Sequence, residues 1–120
     1  MLQDFTPIDT IPELKSEDRV PGTGATVEAG DTVTCHYTGA VAKTGTVFQS
    51  SRDFGDPISF PLSGVIAGWT EGVPGMKVGG TRRLFIPAAK AYGDHPPYGS
   101  GIPANADLVF DIELVSIQGK

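Results

Sequence analysis

The sequence predicts an α+β fold, a small sheet carrying one short helix, and three observations support this. Sixteen glycines and ten prolines occupy 26 of 120 positions, about 22% against a usual ~12% for the pair, so turns are frequent. Hydrophobic residues make up 39%, enough for the core of one domain and too many for a disordered chain. Several segments alternate apolar and polar residues with period two, and one alone has the period of a helix.

Taken in order, residues 1–13 scatter Phe5, Ile8 and Ile11 among Pro7, Pro12, Asp4, Asp9 and Glu13 with neither period. This predicts an extended, loosely held arm ahead of a domain spanning 14–120. Residues 14–20 form a weak first strand, stopped by the turn Pro21-Gly22-Thr23-Gly24. Thr32–Thr38 is the clearest strand, with Val33, Cys35 and Tyr37 on the core face and Thr34, His36 and Thr38 on the wet one. Further strands are expected at 47–50, at 58–62 with Ile58, Phe60 and Leu62 inward, at 81–86, and at 108–115 with Leu108, Phe110, Ile112 and Leu114 on one face. A loop is expected at 53–57. Val65, Ile66, Trp69 and Val73 share one side of a helix, with Ser63 as its expected N-cap and Gly72 and Pro74 at its end. So short a helix must be held by burying Ile66 and Trp69 against the sheet. A long Gly- and Pro-rich loop, 91–107, separates the last two strands.

Several chemistries are excluded. The net charge of −5, without a basic run, argues against nucleic acid and anionic membranes as partners. No apolar run reaches the ~20 residues of a membrane span, and the start lacks a signal-peptide pattern. The expected compartment of the chain as it stands is cytoplasmic; removal of an upstream signal would instead place it outside, secreted or anchored. A monomer is expected. Cys35 is the sole cysteine, which rules out an internal disulfide. Cys35 and His36 are neighbours in a strand and point to opposite faces, so they cannot act as nucleophile and base. His95 has no second ligand at metal spacing. The segment Gly72–Gly79 is not a phosphate loop, and Asp53 and Asp56 lack an ordered metal or glycosidase spacing. No metal and no cofactor are expected.

What converges is apolar surface: Tyr37, Phe48, Ile58, Val65, Ile66, Trp69, Tyr92 and Phe110 could line one pocket floored by Trp69, or could simply be core. The blocks Val33–Gly39, Phe48–Arg52, Val65–Trp69, Gly72–Gly79, Ala91-Tyr92-Gly93 and Ile102–Phe110 together resemble the FKBP-type peptidyl-prolyl cis-trans isomerases, over roughly residues 14–117. The resemblance implies five or six antiparallel strands wrapped around the helix, an active pocket between them, and X-Pro polypeptides as substrates in assisted folding. It implies FK506- and rapamycin-type macrolides as ligands. It gives Tyr37, Phe48, Gln49, Ile66, Trp69, Tyr92 and Phe110 as the residues acting on substrate, and Ile58, Val65, Tyr98 and Ile102 as further pocket lining. By the same resemblance the Ile66 N–H and the Tyr92 hydroxyl donate to substrate carbonyls, and Gly68 and Gly93 border the pocket. Three positions depart from the family pattern: Gln49 replaces an aspartate, Ile58 replaces an aromatic, and the segment before Val65 is shortened to Ser63-Gly64. Together these predict reduced activity and weaker macrolide affinity. The alternative is a proline-directed binding or chaperone-like module with incidental turnover.

Overall fold

The computed structural model describes residues 2–53 and 55–120. The first residue of the expected arm and position 54 of the expected 53–57 loop lie outside the described residues. The strands are β1 (Lys15–Val20), β2 (Thr32–Val41), β3 (Val47–Ser50), β4 (Ile58–Pro61), β5 (Thr81–Ile86) and β6 (Leu108–Ile117). They form one sheet in the order β1-β5-β6-β2-β3, with β4 also paired to β2, and every pairing is antiparallel.

β2 organises the sheet. One of its edges pairs with β6 from Val33 opposite Ile117 to Val41 opposite Leu108. Its other edge takes β4 along 32–35 and β3 along 38–40, with a 3-10 turn Ser51–Asp53 following β3. Between the two short strands the buried Ser51 hydroxyl substitutes for the missing ladder. It accepts the Tyr37 N–H at 2.8 Å and donates to the Tyr37 carbonyl at 3.3 Å, so the backbone of Tyr37 stays satisfied where the pairing changes. β1 is fully exposed along its length and carries Lys15, Glu17, Asp18 and Arg19, the charged character that keeps a sheet edge from recruiting another strand.

The alternation expected from the sequence sets the core. Val33, Cys35 and Tyr37 face inward with Leu84, Ile86, Leu108, Phe110, Ile112 and Leu114. Helix α1 (Ala67–Gly72) closes this face. It starts later than the periodicity predicts, because Val65 and Ile66 are not helical; Ile66 sits at the N-cap position with φ −58° and ψ 150° and no side-chain cap. Ser63 is not the cap. It lies in a turn closed by the Gly64 N–H to the Pro61 carbonyl at 2.9 Å. A six-residue helix with two glycines cannot stand by propensity, and its position is set by close approach to β5. A Cβ added to Gly68 would lie 2.5 Å from Ile86 Cγ2, and one on Gly72 would lie 2.8 Å from a Leu84 methyl. Gly68 therefore faces the sheet and does not border the aromatic pocket. Gly68→Ala is expected to lower stability by about 1–3 kcal/mol through overpacking, although alanine is the better helix former. Denaturant unfolding checks this, and a stabilised variant would mean the helix sits further from β5.

The arm is not loosely held. Leu2 and Ile11 are buried, and with Phe5 and Ile8 they cover Ala40, Ala42, Val47, Phe85 and Val109 on the outer face of the sheet. This face is therefore wet only along the first half of β2. Backbone bonds from Leu2 to Gly45 and from Ile8 to Ala42, each 2.8 Å, tie the arm down. Neither period signals such a segment, because an irregular chain follows the contour of the surface it covers.

A buried cation supplies the latch. Arg83, on the outer face of β5, forks onto Asp111 at 2.6 and 2.8 Å and donates to the carbonyls of Gln3 and Asp4, each at 2.7 Å. Its guanidinium also stands 5.7 Å from the Phe5 ring centroid, within cation–π range.

Candidate active site

The aromatic residues gather around Trp69. Its ring is met edge-on by Phe60 at 5.2 Å, Phe110 at 5.5 Å and Tyr37 at 5.6 Å between centroids. Phe48 stands edge-on to Phe110 at 5.7 Å. These T-shaped contacts place ring edges against ring faces, which matches the aromatic quadrupole and fixes each wall relative to its neighbour. Gly39 makes the last pair possible. It lies opposite both Gln49 and Phe110 in the sheet, and a Cβ there would sit 2.6 Å from Phe48 and 2.7 Å from Phe110.

Above this cluster opens a cavity of about 450 Å³ lined by Tyr37, Phe48, Gln49, Phe60, Gly64, Val65, Ile66, Trp69, Tyr92 and Phe110. None of these is charged. Nine-tenths of the indole and phenol surface beneath is withdrawn from water: Trp69 is 4% exposed and Tyr37 7%. At the rim, Ile66 accepts the Trp69 and Thr70 N–H groups through its carbonyl at 3.0 and 3.2 Å. Its own N–H belongs to the unpaired set at a helix start and has no partner among the described residues. Burial pushes the Tyr37 phenol above its ordinary value, with Cys35 and Tyr92 adding to the shift, so its hydroxyl stays a donor at neutral and moderately alkaline pH. Burial also pushes the Cys35 thiol up to about 12, and a thiol held protonated is no nucleophile.

The structure thus brings together Tyr37, Phe48, Gln49, Val65, Ile66, Trp69, Tyr92 and Phe110 from the sequence expectation. Ile58 does not line the cavity; it is half-buried against the core from β4, and Phe60, two residues on, provides the wall. Tyr98 and Ile102 line a separate, smaller hollow of about 300 Å³ that shares Phe48, Gln49 and Tyr92 with the main cavity. Tyr98 is fully exposed there. Sequence reading put Ile58, Phe60 and Leu62 on one face, but only the pairing of Phe60 with Val33 on β2 shows which of the three stands beside Tyr37 and Trp69.

A cleft of similar size, about 460 Å³, lies on the opposite face of the sheet, between the arm and β2. It is lined by His36, Thr38, Ser50, Arg52, Asp53, Asp111 and Glu113 among others, and of these Arg52 pairs with Glu113 at 2.8 Å and Asp111 with Arg83. It lacks the convergence of apolar walls and free donors seen in the aromatic cavity. Among the described residues no helix is long and apolar enough to cross a membrane.

Comparison with known proteins agrees with this geometry. The sequence model of a family described as FKBP-type peptidyl-prolyl cis-trans isomerase matches residues 24–115. A probable FK506-binding protein of Corynebacterium glutamicum is 49% identical over 112 residues, which cover 92% of each chain. An FKBP-type peptidyl-prolyl cis-trans isomerase, FkpA, of Aeromonas hydrophila is 54% identical over 98 residues, 81% of this chain but only 35% of that one. The crystal structure of FkpA from Escherichia coli superposes with a TM-score of 0.78 at 42% identity, covering 87% of this chain and 47% of the other. The chain therefore spans about a third of one relative and nearly all of another. With a family match across most of its length and an aromatic cavity free of charge at the centre of the shared fold, the chain belongs to the FKBP-type peptidyl-prolyl cis-trans isomerases.

Proposed function

We propose that this isomerase binds the prolyl ring of an X-Pro segment on Trp69, between Tyr37, Phe48, Phe60 and Phe110, and accelerates rotation of the preceding amide there. The observation that carries the reading is a cavity with aromatic walls, whose lining holds no ionised group and at whose rim the Ile66 N–H has no partner among the described residues. The rotating bond has a barrier of ~18–20 kcal/mol because amide resonance gives it double-bond character. That resonance separates charge, and water favours it. A dry pocket that strips the carbonyl of hydration and holds the twisted amide favours the transition state over the planar ground state. A millionfold acceleration requires roughly 8 kcal/mol of such preference. No covalent bond is made or broken, so no acid, base or nucleophile is needed. The Ile66 N–H and the Tyr92 hydroxyl are the donors that hold the flanking carbonyls. FK506- and rapamycin-type macrolides compete for the same cavity.

Gln49 is the wall position where a charge is missing. Its amide makes no hydrogen bond to Tyr37 among the described residues, and it is exposed at the cavity rim. A carboxylate there would orient the Tyr37 hydroxyl through a charge-assisted bond. Gln49→Asp is therefore expected to raise kcat/KM for a short X-Pro peptide about three- to tenfold, the gain from replacing a weak dipole by a charged acceptor. A wild type whose rate is left unchanged by the substitution would show that Gln49 does not limit turnover. Ile58 plays no part in this expectation, since Phe60 occupies the wall.

A further inference from the structure

Asp107 joins three segments that lie far apart in the chain. Its Oδ1 accepts the Ala88 N–H at 2.8 Å and its Oδ2 accepts the Ile11 N–H at 2.7 Å. Its carbonyl accepts the Ala42 N–H at 2.9 Å. Ala88 opens the 3-10 helix Ala88–Lys90, and the Ala88 carbonyl in turn accepts the N–H groups of Ala91 at 3.0 Å and Gly93 at 2.9 Å. Those two residues flank Tyr92. The Asn105 N–H closes the same turn onto the Gly93 carbonyl at 2.7 Å. On its other side, Asp107 directly precedes β6, the strand that carries Phe110. One carboxylate thus stands between the turn that presents Tyr92 and the strand that presents the wall across the cavity. Bonds to an ionised acceptor are the stronger kind, and both oxygens are occupied.

We propose that Asp107 is a positioning residue for the isomerase reaction: it holds the Tyr92 turn against the Phe110 wall and, through its second oxygen, couples that turn to the docked arm at Ile11. This rests on the reading of the aromatic cavity as the site of turnover. Asparagine cannot replace the carboxylate, because its amide nitrogen is a donor and would face one of the two N–H groups. Ala88→Pro removes the same bond from the other end. Proline is tolerated at a first helical position, and Pro87, at φ −67° and ψ 152°, already has the extended conformation that a following proline demands.

The test is a double-mutant cycle on kcat/KM for an X-Pro peptide with the full chain: wild type, Asp107→Asn, Tyr92→Ala and the pair, repeated with Ala88→Pro in place of Asp107→Asn. Each of Asp107→Asn and Ala88→Pro is expected to lower kcat/KM about tenfold when Tyr92 is present, the scale of a lost charged hydrogen bond. Each is expected to cost less than about twofold once Tyr92 is alanine, because contacts that act through one group do not add. Thermal midpoints should fall by the same amount in both backgrounds. Losses that multiply independently, or full turnover in both variants, would make Asp107 a purely structural residue and overturn the proposal. If Tyr92→Ala alone leaves kcat/KM unchanged, the assignment of Tyr92 to the working site fails first, and the proposal falls with it. Should Asp107→Asn fail to fold, the Ala88→Pro cycle decides the question alone.

Discussion

Replacing Trp69 with alanine is expected to lower kcat/KM for an X-Pro peptide about a hundredfold or more, the equivalent of some 2.7 kcal/mol of lost transition-state preference. Trp69 is the floor on which three other rings stand edge-on, so its removal takes away the support of Tyr37, Phe60 and Phe110 and, on the function proposed above, the surface for the prolyl ring. The same change is expected to cost about 3–5 kcal/mol of stability, as large-to-small substitutions of buried aromatics do. The two effects separate when turnover is measured well below the unfolding midpoint of the variant. Trp69→Phe, which keeps an apolar floor, should recover most of the stability and part of the rate. A Trp69→Ala protein that is folded and turns over like wild type would reduce Trp69 to ordinary core. Because Trp69 is the sole tryptophan, a prolyl peptide or macrolide entering the wild-type cavity should also change the intrinsic fluorescence directly.

The second large effect is expected on the other face of the sheet. Arg83→Ala leaves the Asp111 carboxylate without its fork and the carbonyls of Gln3 and Asp4 without donors. Breaking one side of a buried ion pair costs about 3–5 kcal/mol in general; the Asp111 side chain keeps 29% of its exposure, so about 3 kcal/mol is the expected loss here. For a domain of this size that lowers the thermal midpoint by roughly 10–15 °C. The pair Arg83→Met with Asp111→Leu removes both charges and should recover much of this, as apolar replacement of buried ion pairs often does. Yet it supplies no donor to the arm. Limited proteolysis should then cut within residues 2–10 of the double variant and spare the wild type. An arm that remains protected without Arg83 would show that Leu2, Phe5, Ile8 and Ile11 hold it by burial alone.

The parts of the fold that could be read ahead are those where a period maps onto one face. The alternation along Thr32–Thr38 identified β2 and the inward trio Val33, Cys35 and Tyr37, and the same reasoning placed Leu108, Phe110, Ile112 and Leu114 in the core. The ordered blocks from Val33 to Phe110 led to the family, and with it to Trp69 as the floor. What escaped depends on contacts between segments distant in sequence. Phe60 became a wall in place of Ile58 because β4 pairs with β2 in a particular register, which no local pattern encodes. The helix began after Ile66, since its place is set by Gly68 against Ile86 and not by a capping side chain. The arm looked free because its spacing follows no period, whereas Arg83, read simply as part of a strand, is the group that anchors it. Asp107 lay inside the block Ile102–Phe110 without any sign that its carboxylate reaches both Ala88 and Ile11.

The central claim is that rotation occurs in an apolar cavity without acid or base. The most direct measurement is the cis–trans exchange rate of an X-Pro peptide, followed by NMR with a substoichiometric amount of the 120-residue chain from pH 5.5 to 8.5. The expected result is exchange far above the uncatalysed rate and level across the range, since no charged side chain lines the cavity and the raised Tyr37 phenol stays protonated throughout. A rate no faster than that of the free peptide, or one that rises and falls with pH as a titrating group changes state, would contradict it.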